Sequence, residues 1–196
     1  GSDSITRRGG QGAVVRVRRR ADGIPGDLKR LHPSHINSRE RRYRMYQEVA
    51  ALRMLAGHGT PRVLESKVDS WEEEGTPLYV IMQWVDGPTL SQHLASGPRP
   101  RDEAITIACQ LAEILERCHD VGIQHRDLKP DNIILDHGDV NNPVVVDFGM
   151  SWSRTDEEQA RGFNTPAHQE LGNRFLRLPE HAPGAPRHDF RSDVTM

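Results

Sequence analysis

Lysine is nearly absent from this sequence. Of 26 basic residues in a chain of 196, 23 are arginine, and only Lys29, Lys67 and Lys129 are lysine. A lysine kept against such a bias is a candidate for work that arginine's planar fork cannot do. Cysteine is equally scarce: Cys109 and Cys118 stand nine residues apart in a stretch of helical periodicity and form no CxxC pair. Two small thiols in a reducing compartment are expected. The ten histidines show neither HExxH spacing nor a paired Cys/His set, which argues against zinc. Long apolar runs are missing too. Stretches such as Val144-Val145-Val146 fall far short of the ~20 residues that span a bilayer. No charged-then-apolar leader precedes the domain, and Gly1-Ser2 reads as an expression scar, so a soluble, cytoplasmic chain without a membrane segment is expected.

What the chain does have is arginine, unevenly placed. Residues 1–62 hold 14 Arg/Lys against 5 Asp/Glu, while the remainder holds 12 against 23. The densest basic stretches are Arg16–Arg20 and Arg39–Arg44. They read as solvated outer faces of a strand and a helix. The interleaved aromatics of a nucleic-acid binder are missing, so no specific nucleic-acid partner is expected.

Periodicity divides the chain in two. Alternation from Ala13 to Arg20 predicts a strand, Ala21-Asp22-Gly23 a turn, and Leu28–Leu31 a second strand. Tyr46, Val49, Leu52 and Leu55 recur at helical spacing, predicting an amphipathic helix from Ser38, its cap, to Ala56, with Gly57 ending it. Strands fit Arg62–Val68 and Leu78–Trp84. Asp86-Gly87-Pro88 breaks the pattern as a linker. A long helix then fits Arg101–Val121, with Ile105, Ala108, Leu111, Ala112 and Leu115 on one face. Short strands follow at Ile133–Leu135 and Val144–Val146, and a long polar loop runs from Asp147 to about Pro179. Strands first and helices second, joined at a Gly-Pro break, indicate a two-lobed α+β protein.

The chemistry is concentrated in His125-Arg126-Asp127-Leu128-Lys129-Pro130-Asp131-Asn132, followed fifteen residues after Asn132 by Asp147-Phe148-Gly149. Upstream, Gly9, Gly12 and Val14 form G-x-x-G-x-V, Lys29 falls 17 residues after Gly12, and Glu48 falls 19 after Lys29. With these residues the chain resembles the eukaryotic-like serine/threonine protein kinases of bacterial type. Two of its three lysines occupy the positions where that family uses an ammonium on phosphate.

The resemblance implies a β-rich first lobe with one helix over residues 1–85. It implies a mainly helical second lobe over 86–196, opening with a hinge and a short helix. ATP and Mg2+ are the implied cofactors and a protein hydroxyl the implied substrate. Asp127 would take the hydroxyl proton, Lys129 would contact the γ-phosphate, and Lys29 with Glu48 would anchor the nucleotide phosphates. Asn132 and Asp147 would ligate the metal. Met82 would guard the base pocket, Gln83-Trp84-Val85 would form its hinge, and Val14 and Ile134 would sandwich the adenine. Leu52, His125 and Phe148 would stack into one apolar column, and Arg126 would receive a phosphate on Ser151, Ser153, Thr155 or, best placed, Thr165.

Three residues depart from the family pattern. Arg7 stands at the first loop glycine and Asp27 at the small residue against adenine. In Gly172–Glu180, Asn173 replaces a threonine. The chain also stops where Arg191-Ser192-Asp193 would begin a helix whose Asp braces the catalytic loop. The shortened second lobe is therefore expected to be either an abbreviated piece of a longer domain or a minimal kinase whose exposed apolar surface is covered by self-association. Two alternatives stand beside the protein kinase: a pseudokinase serving as nucleotide-binding scaffold, and a small-molecule phosphotransferase.

Overall fold

The computed structural model describes residues 5–9, 12–153 and 190–194. Its first part is a five-stranded antiparallel sheet in the order β1-β2-β3-β5-β4. The strands are β1 (Ile5–Gly9), β2 (Gly12–Arg18), β3 (Pro25–Arg30), β4 (Val63–Lys67) and β5 (Tyr79–Gln83). The first was not legible from alternation. Gly9 and Gly12 close it against β2 as directly opposed partners.

One helix, α1 (Arg39–Leu55), packs on this sheet, with the Ser38 hydroxyl accepting from Arg41 N–H at its start. Its end differs in detail from expectation. Ala56 is already left-handed at φ 51°, and Gly57 follows at 85°. Met45 and Val49 of α1 meet Val68, Leu78 and Val80 in one core. Ala51, Leu52 and Leu55, further along the helix, join a second core with Ile114, Cys118, Ile123, Val145 and Phe148. The helix thus touches both halves of the molecule.

Gly87 makes the connection possible. Its φ is 152°, and a Cβ there would lie 2.0 Å from the carbonyl oxygen of Leu135, so only glycine fits. The short helix α2 (Leu90–Ala95) follows, opened by a capping box between Thr89 and Gln92. Next come α3 (Arg101–Asp120), β6 (Ile123–Gln124), β7 (Ile133–Leu135), β8 (Pro143–Val145) and β9 (Trp152–Ser153). The buried face of α3 is turned from the expected one. Ile107, Ile114, Leu115 and Cys118 are buried, whereas Ile105 is 48% exposed. The stripe follows what the helix has to cover: Ile123, Val145 and Phe148 at one end, Leu90 and Ile133 at the other. No helix among the described residues is long and apolar enough to cross a membrane.

Candidate active site

Strand β3, helix α1 and two loops bring the charged residues together. Lys29 sits on β3 between Val14 of β2 and Val80 of β5. Its side chain is buried beneath the sheet, where Nζ donates to both carboxylate oxygens of Glu48 at 2.7 Å. A third bond reaches Asp147 Oδ1 at 3.1 Å. Burial alone would lower the Lys29 pKa; Glu48 first, then Asp147, outweigh it and hold the ammonium above its ordinary value. Burial likewise pushes Asp147 up, but the charge and hydrogen bond of Lys29 leave this carboxyl below its usual range.

The loop after β6 is built on a second carboxylate. Asp193, in a single 3-10 turn at Phe190–Asp193, is 1% exposed. It accepts from the backbone N–H of His125 and of Arg126, each at 2.8 Å. His119 Nε2 lies 3.1 Å from the same carboxylate. The brace expected from Arg191-Ser192-Asp193 is therefore in place. Arg126 takes φ 66° and Asp147 φ 64°, left-handed values that side chains rarely adopt. Each of these strained residues adjoins another residue of the site, Arg126 beside Asp127 and Asp147 beside Phe148.

His125 is fully buried, and its hydrogen bonds fix its tautomer. Nδ1 accepts from the Asp127 N–H at 3.3 Å, so Nε2 carries the proton and donates to the Val146 carbonyl at 3.2 Å. Burial pulls its pKa below the ordinary 6.5. Its ring meets Phe148 edge-on, with centroids 4.7 Å apart. Phe148 is 0% exposed in the core that holds Leu52, so the expected column of Leu52, His125 and Phe148 forms.

Asp127 is held from three sides. Lys129 Nζ donates to Oδ2 at 2.7 Å, and Asn132 Nδ2 donates to Oδ2 at 3.1 Å and to the Asp127 carbonyl at 2.8 Å. With its nitrogen committed to Asp127, Asn132 has its amide oxygen to offer a cation. The Val146 N–H donates to the Asn132 carbonyl at 2.9 Å, tying this loop to the one that bears Asp147. Among the described residues no group of three or more His, Cys, Asp or Glu could hold a metal alone. One carboxylate, one amide oxygen and the phosphates of a bound nucleotide are instead what Mg2+ takes, so the donor set fits that ion.

The residues expected to border a base are less uniformly placed. Val85 and Ile134 are buried in one cluster with Val144 and Val146. Met82 instead packs against the two cores that α1 forms. Gln83 is tied to Arg62: its N–H donates to the Arg62 carbonyl at 2.8 Å, and its Oε1 accepts from Arg62 Nε at 3.2 Å. Asp27 lies between Arg16 and Met82 in register, on the Lys29 side of β3 by strand alternation. The guanidinium of Arg16 in turn covers the Trp84 ring at 4.1 Å. This charged and aromatic cluster was not legible in the sequence beyond Asp27 itself.

Three further expectations are settled or set aside. Ser151 is only 8% exposed, which removes it as an accessible phosphorylation site. Thr155, Thr165, Asn173 and the Gly172–Glu180 stretch lie outside the described residues. The Arg39–Arg44 run is not a wholly solvated face, because Arg42 is 0% exposed. The signal was present: Arg42 precedes Met45 by three residues and Val49 by seven, which puts it on the apolar stripe.

Comparison with known proteins agrees with this geometry. Residues 6–194 match the protein kinase domain family model. The chain is 32% identical over 194 residues to a putative cyclin-dependent kinase F-2 of Oryza sativa subsp. japonica, covering 95% of this chain and 55% of that protein. It is 30% identical over 197 residues to the serine/threonine-protein kinase PkaA of Streptomyces coelicolor, covering 92% of this chain and 34% of the relative. A probable serine/threonine-protein kinase, KCC4 of Saccharomyces cerevisiae, is 33% identical over 153 residues, or 78% of this chain and 13% of the relative. Against relatives of that long kind the chain spans only 10–18% of their length. Matched from residue 6 to residue 194, with its lysine and glutamate already paired beneath the sheet, the chain belongs to the protein kinase family.

Proposed function

We propose that this domain is an ATP- and Mg2+-dependent serine/threonine protein kinase, moving the γ-phosphate of ATP to a protein hydroxyl. The observation that carries the reading is Lys29 Nζ held between Glu48 and Asp147, since this aims one fixed ammonium at a phosphate site beside a metal-ligating carboxylate. Gly9 and Gly12 let the backbone of β1 and β2 approach the phosphates. Val14, Met82, Gln83, Val85 and Ile134 border the base. The two lobes meet near residues 85 and 86.

Asp127 Oδ accepts the proton of the incoming hydroxyl as its oxygen bonds to the γ-phosphorus and the bond to the β–γ bridging oxygen breaks, releasing ADP. Lys129 shifts its charge from Asp127 to the transferring phosphoryl group. Asn132 keeps Asp127 oriented through the bond to Oδ2. Asn132 and Asp147 would hold Mg2+, which would supply neutralisation of the phosphate charge. Lys129, two residues beyond Asp127, favours serine or threonine as acceptor.

A second reading, a nucleotide-binding scaffold, is favoured by Asp27 alone, because a carboxylate facing a purine is costly to desolvate. The assembled Lys29, Glu48 and Asp147 triad favours the enzyme. Supplying γ-labelled ATP and Mg2+ with a basic protein and, separately, an aminoglycoside distinguishes the classes. Label on seryl or threonyl oxygen of the protein is the expected result. Label on the small molecule alone overturns the reading in favour of a small-molecule phosphotransferase.

A further inference from the structure

Arg42 is a buried cation that the chemistry above does not use. It lies on α1 with 0% exposure, and all five of its guanidinium N–H groups end on backbone carbonyls. Nε donates to Trp71 at 2.6 Å, Nη1 to Ile36 at 2.8 Å and Thr76 at 2.7 Å, and Nη2 to Ser70 at 2.8 Å and Glu73 at 2.6 Å. Four of these five carbonyls belong to the connection between β4 and β5, and the fifth precedes α1. Tyr43 of α1 packs on Trp71 with centroids 4.9 Å apart, pressing the same connection onto the helix.

A leucine or methionine would continue the stripe of Met45 and Val49 without the cost of burying a charge. A buried ionic group kept in such a place is best attested as a device that fixes register. The register here is that of α1 against the sheet. Glu48 lies six residues beyond Arg42, about 9 Å along the helix. β5, which leaves the caged connection, pairs directly with β3, placing Val80 opposite Lys29. A closed path therefore runs from Arg42 through the connection and β5 to Lys29, and back through α1 to Glu48.

We propose that Arg42 is a positioning residue: its carbonyl cage sets the height and rotation of α1 so that Glu48 reaches Lys29. This rests on the reading of Lys29 and Glu48 as the phosphate-anchoring pair, yet its test does not need phosphotransfer. The chain has only three lysines, so amine labelling followed by peptide mass mapping reports Lys29 with Lys67 and Lys129 as internal references. In Arg42→Lys, which keeps the charge but loses the planar five-donor fork, Lys29 labels at least five-fold faster relative to Lys67. Glu48→Gln raises Lys29 labelling similarly, and the double variant adds nothing further, because both act on one contact. Unchanged Lys29 labelling in a cooperatively melting Arg42→Lys overturns the proposal, as does a full additive increase in the double variant.

Should Arg42→Lys fail to fold, Arg42→Ala is measured with ethylguanidinium, whose planar cation matches the cage. Joint return of the melt and of Lys29 protection supports positioning. Return of the melt with Lys29 still open overturns it. In parallel, kcat falls about ten-fold in Arg42→Lys with little change in KM for ATP, and the fall disappears in the Glu48→Gln background. Absence of any phosphotransfer by the unmodified chain would defeat the kinase reading while leaving the labelling result to decide on Arg42.

Discussion

Asp193 holds Arg126 in a left-handed conformation: its Oδ1 accepts the Arg126 N–H at 2.8 Å while that residue sits at φ 66°. The loop that carries Asp127 therefore owes its shape to a carboxylate 67 residues downstream. Asp193→Asn keeps the volume but replaces one acceptor oxygen by a donor, leaving one of two buried N–H groups unmatched. The expected loss is about 1–3 kcal/mol, or roughly 2–10 °C in Tm for a domain of this size. Differential scanning calorimetry checks it, and an unchanged melt counts against the brace.

Lys29 and Glu48 make a second prediction about stability rather than rate. Lys29→Met strands a carboxylate that is 1% exposed, which costs about 3–5 kcal/mol. Adding Glu48→Leu removes the orphaned charge, so the double variant melts above the single one. A double variant no more stable than Lys29→Met would show that the pair is not closed in solution.

The two thiols should differ sharply. Cys109 is exposed, whereas burial and then the charge of Asp193 push the Cys118 thiol up to about 12. A native chain titrated with a thiol reagent near neutral pH should give one fast equivalent, with the second appearing only on unfolding. Two fast equivalents would place Cys118 outside the core that α3 forms.

His125 links folding to pH. Burial keeps it neutral, so the unfolded chain binds a proton near the ordinary 6.5 that the folded chain refuses. Its contribution to stability is fully present above pH 6.5 and is lost as pH falls from there toward the lowered folded value. His125→Phe keeps a ring against Phe148 but cannot be protonated. Stability of the unmodified chain should fall more steeply than that of the variant between pH 6.5 and 5, measured by urea unfolding. Parallel slopes would mean that His125 is not the linked group.

Much of this was readable in the chain itself. Lys29, Glu48, Asp127, Asn132 and Asp147 were marked by residue type and spacing, on which the resemblance to protein kinases rests. Helix α1 was marked by its period and its Ser38 cap. β1 was not, since Ile5 to Gly9 carries adjacent arginines, one of which must fall where alternation needs an apolar residue. The α3 stripe was misread by a partial turn because apolar residues lie nearly all round that helix. Only its partners Ile123, Val145 and Phe148, all outside the helix and the last two well downstream, select the buried face. The spacing of Arg42 put it on the apolar stripe of α1, but its partners are main-chain carbonyls, which no residue pattern encodes.

The central claim is that the triad around Lys29 and the braced loop at Asp127 form an operating phosphotransfer site. Its most direct test is the initial rate of γ-phosphate transfer from ATP-Mg2+ to a basic protein substrate, compared with Asp127→Asn, which preserves shape but cannot take the hydroxyl proton. The variant is expected to bind ATP-Mg2+ as the unmodified chain does while its rate falls by about 10²-fold or more. Equal rates for the two, or no transfer by either, would contradict it.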